Sequence, residues 1–213
     1  LATMVQSVDD SVGSLVTHLD SLGILENTYI FFFSDNGGLA TKHGMGPGCN
    51  LPLRASKGWL YEGGIRVPLI VRMPNRRNAG LQPSTPVLST DIYPTLLSLA
   101  GLPLRSEQHM DGQSFVGLMN GKVKDSASRT LYWHYPHYHG SMWTPGAAIR
   151  QGDWKLIQFY HFDKLELYNL REDLGESTDL SAAHPETTQT LLAELLKWQE
   201  RLGAFIPVVR EIK

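Results

Sequence analysis

The sequence predicts an α/β fold followed by a smaller α+β domain, and two observations support this prediction. Near the start, an amphipathic helical pattern is followed by a short loop and a continuous aromatic and apolar run, which is half of a βαβ alternation. After about Asp125 the pattern changes to short strand-like runs separated by compact turns. We therefore expect the α/β part to span residues 1–125 and the smaller domain to span 126–213.

The composition excludes several classes of protein. The 213 residues include 19 basic and 21 acidic residues, so no strong basic field is present to attract nucleic acid or an anionic membrane. No apolar run approaches the roughly 20 residues of a membrane span. The chain does not begin with Met and shows no leader pattern, so we expect a truncated or processed start. Cys49 is the single cysteine, which rules out an internal disulfide and identifies no compartment.

Each element of the first part follows from its own pattern. Apolar residues at helical spacing predict an amphipathic helix over 3–22, and Gly23 suits its C-terminal cap. The apolar run 29–33 predicts a strand covered on both faces, as in a parallel sheet. The remaining predicted elements are a strand over 65–73, a short helix over 92–100 and one or two helical turns over 114–119.

Compact turns divide the second part into short segments. Gly152-Asp153 and Asp163-Lys164 lie between runs of strand-forming residues, so we expect a small antiparallel sheet. Its predicted strands span 130–135, 147–151, 154–160 and 165–169. Residues 186–202 place their leucines on one side, which predicts a helix that backs this sheet.

Two polar side chains follow the predicted strand 29–33. Asp35 and Asn36, in the run SDNGG, would lie at the carboxyl end of this strand, where open α/β sheets bind ligands. A carboxylate and an amide carbonyl suit calcium or magnesium better than zinc. The same composition is also ideal for a turn, and these five residues alone favour the turn.

A second charged group lies in the stretch LPLRASKGWLYEGGIRVP, residues 51–68. Lys57 offers three donors on a mobile point charge, which suits a tetrahedral oxyanion. Gly63-Gly64 permits a tight backbone path. The alternative is an exposed lysine beside a structural Arg–Glu pair, and the stretch taken alone favours that alternative.

Taken in order, these motifs resemble the C-terminal part of the type I, formylglycine-dependent sulfatases, the arylsulfatase-like members of the alkaline-phosphatase superfamily. The motifs that support the resemblance are SDNGG (34–38), LPLRASKGWLYEGGIRVP (51–68), DIYPTLLSLAGLP (91–103), MDGQSFVGLMNG (110–121), IRQGDWKLIQF (149–159) and LELYNLREDLGE (165–176). The ordered set covers nearly the whole chain and is far more specific than any one motif.

The resemblance implies a fold, a reaction and a set of roles. The fold would be a large α/β domain with a mixed central sheet, followed by a smaller domain that packs a four-stranded antiparallel sheet against a helix. Asp35 and Asn36 would be two ligands of a calcium ion, with magnesium as an alternative, and Lys57 would bind sulfate oxygens. The substrate would be a sulfate ester of an aryl or carbohydrate group. Many relatives are exported, which favours a periplasmic or secreted protein over a cytoplasmic one.

The family pattern also indicates groups that this chain lacks. The family's nucleophile is a formylglycine made within a Cys/Ser-x-Pro-x-Arg motif, and Cys49 stands one residue too far from Pro52 to match it. Cys49 also comes after the predicted metal ligands, so we interpret it as uninvolved. We expect the nucleophile and further metal ligands to precede Leu1, the isolated chain to be inactive, and the missing N-terminal half to be a partner.

Histidines are further candidates for contact with substrate. His43 lies in the glycine-rich loop after Asp35 and could reach the substrate, with loop polarity as the alternative. His134, His137 and His139 lie in the run YWHYPHYHG and could line the mouth of the substrate pocket. A surface loop is the favoured alternative for these three, and a zinc site is the weakest because their spacing fits no standard zinc pattern.

Two other functions stay open on the sequence alone. Phosphoryl or phosphonate hydrolases of the same superfamily commonly place histidine beside the aspartate to hold a second metal, so Asn36 favours one metal and sulfate. The other alternative is a non-catalytic remnant or interaction module. Because the nucleophile motif is missing, the isolated chain itself would be non-catalytic in either case.

Overall fold

The computed structural model describes residues 1–40, 48–122 and 129–207. The helices are α1 (Ala2–Ser21), α2 (Glu62–Ile65), α3 (Ile92–Leu99), α4 (Val116–Met119) and α5 (Pro185–Leu202). The strands are β1 (Ile30–Phe33), β2 (Leu69–Arg72), β3 (Leu131–Tyr135), β4 (Gly146–Gln151), β5 (Trp154–Phe159) and β6 (Lys164–Asn169). The described residues form two compact units, the first drawn from 1–35 and 69–127 and the second from 36–68 and 128–213. The linear division near Asp125 stays a prediction, and Asp125 itself lies outside the described residues.

The first unit contains one pair of strands and a small apolar core. β1 and β2 pair antiparallel, with Ile30 opposite Arg72 and Phe33 opposite Leu69. The buried core residues are Met73, Phe115, Leu118 and Met119, and the half-buried residues packed against them include Phe31, Ile92 and Leu99. The rings of Phe31 and Phe115 meet edge to face with 6.3 Å between their centroids. This core joins β1 to α3 and α4.

The predicted strand over 29–33 forms, but its neighbour β2 is not parallel to it as a parallel sheet would require, and within this chain its faces are only partly covered. Phe32 and Phe33 are each 43% exposed, whereas Phe31 packs against the core. The pairing with β2 is antiparallel. The predicted strand over 65–73 is shorter, because α2 continues to Ile65 and Pro68, which has no N–H for a ladder, precedes β2.

Helix α1 confirms the predicted amphipathic helix. Gly23 follows it with φ +69° and donates its N–H to the Asp20 carbonyl, as expected of a C-terminal cap. No residue of α1 is buried: Met4 is 69% exposed and Val8 50% exposed, whereas Val12, Val16 and Leu19 of its apolar stripe are half-buried. None of the described helices combines the length and mean hydropathy of a membrane span.

The second unit is built on a four-stranded antiparallel sheet in the order β3-β4-β5-β6. Because neighbouring residues of a strand point to opposite faces, Ala147 and Ala148 are both fully buried but belong to different cores. The core on the α5 side contains Ala147, Ile149, Leu156, Leu167, Leu191 and Leu195. The core on the other face contains Leu60, Tyr61, Trp143, Ala148, Ile157, Phe159, Tyr168 and Leu170. The predicted antiparallel sheet and its backing helix are confirmed.

The turns and caps of the second unit follow the local chemistry of the sequence. Gly152 has φ +60° and Asp163 has φ +48°, and both stand in the compact turns between strands. Pro185 opens α5, where its missing N–H needs no partner, and Gly203 follows the helix with φ +59°. The elements predicted after residue 130 therefore lie within one residue of their observed bounds.

Candidate functional site

Asp35 and Asn36 come two and three residues after the end of β1, as predicted. Asp35 is exposed, Asn36 is half-buried, and the boundary between the two units falls between them. Within the ranges 1–40, 48–122 and 129–207, no three His, Cys, Asp or Glu side chains form a metal-binding group. A carboxylate and an amide oxygen suit a hard cation, but calcium takes roughly six to eight oxygens, so these two residues fit part of such a site.

The glycines of the two central motifs allow a close approach of backbone segments. The Gly37 N–H donates to the Gly64 carbonyl at 2.9 Å, and a Cβ on Gly37 would lie 1.8 Å from the Gly63 oxygen. A Cβ on Gly63 would lie 2.4 Å from the Arg54 oxygen, and one on Gly64 would lie 2.1 Å from the Trp59 oxygen. No larger residue fits at these three positions without a backbone shift, which explains the glycines at 37, 63 and 64.

Asn50 organises the same region, a role that was not predicted from the sequence. Its side-chain Nδ2 lies within hydrogen-bond distance of three carbonyl oxygens, those of Gly38 at 2.9 Å, Ala55 at 3.1 Å and Gly63 at 3.2 Å. The amide carries two protons, so the three carbonyls share them. Asn50 therefore connects the segment after β1 to the segment around Lys57. Asparagine is common in loops, and its sequence context gives no signal of this role.

Lys57 has a constrained backbone and an exposed side chain. Its N–H donates to the Gly38 carbonyl at 3.2 Å. The preceding residue, Ser56, is buried and donates its hydroxyl to the Ala40 carbonyl at 3.0 Å. The following residue, Gly58, adopts φ +85°. The structure thus fixes the point from which the lysine side chain extends, while the side chain itself reaches solvent.

Glu62 belongs to a buried ionic group rather than to an exposed surface pair. Its Oε1 accepts a hydrogen bond from Lys155 Nζ at 2.9 Å, and the side chains of both residues are almost fully buried. Arg66 and Arg150 lie farther from its Oε2, at 3.5 and 3.8 Å. Glu176 completes the group, because it accepts the Glu62 N–H at 2.6 Å and lies 2.8 Å from Lys155 Nζ.

The two buried carboxylates have pKa values that shift in opposite directions. Burial opposes ionisation of Glu62, but attraction to Lys155, assisted by Arg150 and Arg66, outweighs it and holds the pKa of Glu62 below its ordinary value. For Glu176, burial outweighs the attraction to Lys155 and raises the pKa. The predicted Arg–Glu pair therefore exists, but the main partner of Glu62 is Lys155, which was not predicted from the sequence.

Arg54 belongs to a second polar cluster. The guanidinium lies 3.9 Å above the centre of the Tyr61 ring and donates to the Tyr168 hydroxyl at 2.9 Å. Both tyrosine hydroxyls donate to Glu166, which also accepts from Lys164. Burial opposes ionisation of Glu166, but these hydrogen bonds outweigh it and lower its pKa. The cluster is satisfied internally, and Arg54 supports the packing of the Lys57 segment on the sheet.

The histidines predicted to contact substrate have different surroundings. His43 lies outside the described residues. His137 is exposed, with its ring edge-on to Tyr135 at 5.9 Å between centroids. His139 packs against Gly58, since a Cβ on that glycine would lie 2.1 Å from His139 Nδ1. His134 instead lies among the structural contacts of the sheet, with Nδ1 2.7 Å from the Tyr160 hydroxyl.

This chain is similar to known protein families over most of its length. The family model described as Sulfatase matches residues 2–102, and the one described as N-sulphoglucosamine sulphohydrolase, C-terminal, matches residues 55–201. A curated protein named sulfatase, from Formosa agariphila, is 38% identical over 96% of this chain and 39% of its own length.

Two solved structures share the fold. The crystal structure of Ps i-CgsB in complex with k-i-k-neocarrahexaose has a TM-score of 0.76 and 33% identity, and the match covers 92% of this chain and 41% of that one. A protein in complex with its substrate D-glucosamine-2-N,6-O-disulfate has a TM-score of 0.76 and 30% identity, with 92% and 39% covered. This chain spans about two fifths of the length of these relatives. The family matches and these relatives together show that the chain belongs to the sulfatase family, of which it covers the C-terminal portion.

Proposed function

We propose that this chain is the C-terminal portion of a sulfuric ester hydrolase in which Lys57 binds the sulfate group. The observation that supports this most strongly is the hydrogen bond from the Lys57 N–H to the Gly38 carbonyl. It joins the two family motifs that the sequence places about twenty residues apart, SDNGG and the stretch around Lys57. A lysine with a constrained backbone and an exposed ammonium is suited to hold a tetrahedral oxyanion.

The role of Lys57 follows from the charge that develops in the reaction. As the ester bond breaks, negative charge on the sulfate oxygens and the leaving oxygen is stabilised by a nearby ammonium. Asp35 and Asn36 would contribute oxygens to a calcium ion, with magnesium as an alternative. The ion would neutralise one side of the sulfate when bound. We propose that the formylglycine nucleophile and the remaining metal ligands belong to a longer protein and lie outside this chain.

The proposed substrate is a carbohydrate sulfate rather than an aryl sulfate. Both solved relatives described above hold carbohydrates, and one of them holds a sulfated amino sugar as its substrate. His137 belongs to the same compact unit as Lys57 and is proposed to contact the group that bears the sulfate, with His139 as the alternative contact. His43 stays a prediction of the same kind. A periplasmic or secreted location and the absence of a nucleic-acid partner are also part of this proposal.

A phosphoryl or phosphonate hydrolase is the weaker alternative. The matched family models and the relatives of at least 30% identity described above are sulfatases or carry carbohydrate ligands. Asn36 beside Asp35 also favours a single metal ion. No contact in the described part of the chain favours phosphate over sulfate.

The test compares the purified chain with a longer enzyme that contains it. Release of a chromogenic phenol from an aryl sulfate, and of sulfate from a sulfated amino sugar, is measured with and without calcium. We expect no turnover above background from the chain alone. In the longer enzyme, Lys57→Ala should lower kcat/KM by roughly 10²–10³, as loss of one donor to developing negative charge does elsewhere. Asp35→Ala should lower activity and raise the calcium concentration required.

Lys197→Ala is the matched control, because Lys197 is an exposed lysine on α5. It should leave the rate unchanged. Clear turnover by the chain alone would contradict the proposed location of the nucleophile. A fully active Lys57→Ala enzyme would contradict the role of that lysine.

A further inference from the structure

We infer that His139 is a positioning residue that holds the backbone at Lys57 and Gly58 and so directs the Lys57 ammonium. This inference rests on the proposed function, in which that ammonium binds sulfate. It assigns to His139 an action through Lys57 rather than a direct contact with substrate.

The contact between His139 and Gly58 is the central observation. Gly58 has φ +85°, a backbone conformation that residues other than glycine rarely adopt. The space beside its α-carbon is filled by the imidazole, since a Cβ there would lie 2.1 Å from Nδ1, 2.5 Å from Cε1 and 2.6 Å from Cγ. The glycine therefore lets the histidine ring lie directly against the backbone next to Lys57.

The ring of His139 is itself held in place. The Ser141 N–H lies 3.1 Å from His139 Nδ1, and the Ser141 hydroxyl lies 2.8 Å from the same nitrogen. Because a backbone N–H can only donate, Nδ1 is an acceptor, and the neutral imidazole carries its proton on Nε2. The His139 N–H donates to the Trp143 carbonyl at 3.2 Å, which closes the turn on Trp143, a fully buried residue.

A second contact joins the same turn to the residue after Gly58. The Trp59 indole N–H donates to the Ser141 carbonyl at 2.8 Å, and the Trp59 and Trp143 rings meet edge to face at 5.7 Å. On the other side, the Lys57 N–H is bonded to the Gly38 carbonyl. Lys57 is thus the exposed residue between two anchored segments.

Loss of the imidazole would release the more flexible of these two segments. Glycine has the widest backbone freedom of any residue, and at Gly58 that freedom is limited by the ring packed against it. A side chain as long as that of lysine converts a small backbone rotation into a shift of its ammonium of about 1 Å. Shifts of that size at a reacting centre cost up to roughly 100-fold in rate.

The test is a double-mutant cycle in the longer enzyme. We expect His139→Ala to lower kcat/KM by roughly 10-fold or more, and the same change in a Lys57→Ala background to have no further effect. His139→Asn should recover much of the loss, because the Asn side-chain oxygen can accept the Ser141 N–H in place of Nδ1. His109→Ala is the matched control, since that ring accepts the Arg105 N–H at 3.1 Å in the other unit, and it should leave the rate unchanged.

The isolated chain gives a second measurement that needs no activity. Hydrogen exchange at the Lys57 amide should become faster in His139→Ala and remain slow in His139→Asn, with tryptophan fluorescence confirming that both variants fold. If His139→Ala does not fold, Gly58→Ala disturbs the same segment, because its added Cβ displaces the ring and strains a backbone held at φ +85°. Gly58→Ala should likewise lower kcat/KM in the longer enzyme that retains Lys57, and it should have no further effect in the Lys57→Ala background.

The outcomes separate the inference from the proposed function. Full activity of His139→Ala, or an equal loss with and without Lys57, overturns the inference, because the histidine then acts independently of the lysine. Unchanged exchange at the Lys57 amide also overturns it. If Lys57→Ala retains full activity, the proposed function itself fails.

Discussion

The four-stranded sheet β3–β6 and the two-stranded pair β1–β2 differ in what covers their side chains. In the larger sheet, Ile149 and Ile157 lie on opposite faces and both are fully buried. In the smaller pair, Phe32 is 43% and Ile70 62% exposed. Burial of apolar area is the main favourable term in folding. The four-stranded sheet therefore gains more stabilisation from its buried side chains than the two-stranded pair does.

Charged groups show the same difference between the two units. Lys155 of the second unit is fully buried between Glu62 and Glu176. In the first unit, Arg72 pairs with Glu26 at 2.7 Å, but the glutamate side chain is 53% exposed. A buried charge that loses its partner is far more destabilising than an exposed one, so substitutions in the second unit should have the larger effects.

The two units can be followed separately by spectroscopy. All five tryptophans, Trp59, Trp133, Trp143, Trp154 and Trp198, belong to the second unit. Tryptophan fluorescence therefore measures unfolding of that unit, and amide hydrogen exchange measures opening of the first.

The largest effect is expected from Lys155→Ala. It leaves the carboxylates of Glu62 and Glu176 buried without their shared cation, which should lower the free energy of unfolding of the second unit by about 3–5 kcal/mol. Denaturant unfolding followed by tryptophan fluorescence measures this change. Arg72→Ala is the control in the first unit, and its cost, measured there by amide hydrogen exchange, should stay within about 1 kcal/mol. Equal effects of the two substitutions would contradict the comparison.

A second prediction concerns the core between the sheet and α5. Leu195 is fully buried there, whereas its neighbour Leu196 is 46% exposed. Leu195→Ala should cost about 2–5 kcal/mol through lost contacts and a cavity, and Leu196→Ala should cost about 0.5 kcal/mol or less. The same fluorescence titration compares them. A cost for Leu196→Ala as large as that for Leu195→Ala would show that α5 buries a different face.

Two glycines provide the third prediction. A Cβ on Gly37 would lie 1.8 Å from the Gly63 oxygen, so Gly37→Ala should destabilise the second unit by about 1–3 kcal/mol. A Cβ on Gly13, within α1, meets nothing within 4 Å, so Gly13→Ala should stabilise that helix by about 0.5–1 kcal/mol. Amide hydrogen exchange within α1 measures the helix, and fluorescence measures the second unit. Destabilisation by Gly13→Ala would mean that α1 packs against other residues.

The smallest expected effect is a pH dependence that arises at His134. Burial lowers its pKa below the ordinary value of 6.5, and the hydrogen bond to the Phe205 carbonyl only partly opposes this. The unfolded chain therefore binds the proton more readily, and His134 destabilises the second unit as pH falls below about 6.5, until the folded form is protonated too. His134→Gln should reduce the dependence of the unfolding free energy on pH between roughly 7.5 and 5, the range in which histidine titrates. Denaturant titrations followed by tryptophan fluorescence at several pH values measure it.

His18→Gln is the control for the pH prediction, because His18 is exposed on α1 in the first unit. The slope measured for the second unit should not change in that variant. An unchanged slope in His134→Gln would assign the pH dependence to other groups.

Local patterns predicted the second unit well and the first unit less well. In β3–β6 and α5, periodicity, turn residues and caps agree with the contacts that the structure makes, so the elements and their pairing follow from the sequence. In β1 the apolar run predicted a strand, but such a run does not specify which residues cover it or whether the neighbouring strand is parallel. Phe32 and Phe33 show the difference.

Long-range polar partners were beyond prediction from one sequence. Glu62 was expected to pair with an arginine, but its main partner is Lys155, which lies 93 positions away. The contact between His139 and Gly58 was not predictable for the same reason, since no local pattern relates residues so far apart. The partners of Asn50 are nearer in sequence, but an asparagine in a loop gives no signal of which carbonyls it will bind. The roles of Asp35, Asn36 and Lys57 came from the resemblance to sulfatases and stay predictions until the enzyme is assayed.

The discontinuity of the second unit has a consequence for its synthesis on the ribosome. Residues 36–68 are made before 69–127, whereas their sheet partners come later. Because synthesis proceeds at about 5–20 residues per second, Lys155 is added to the chain roughly 5–20 s after Glu62. During this interval the Lys57 segment has neither its buried cation nor its sheet. Ribosome-bound chains that stop before residue 155 should therefore leave this segment open to proteases, and those that extend beyond α5 should protect it.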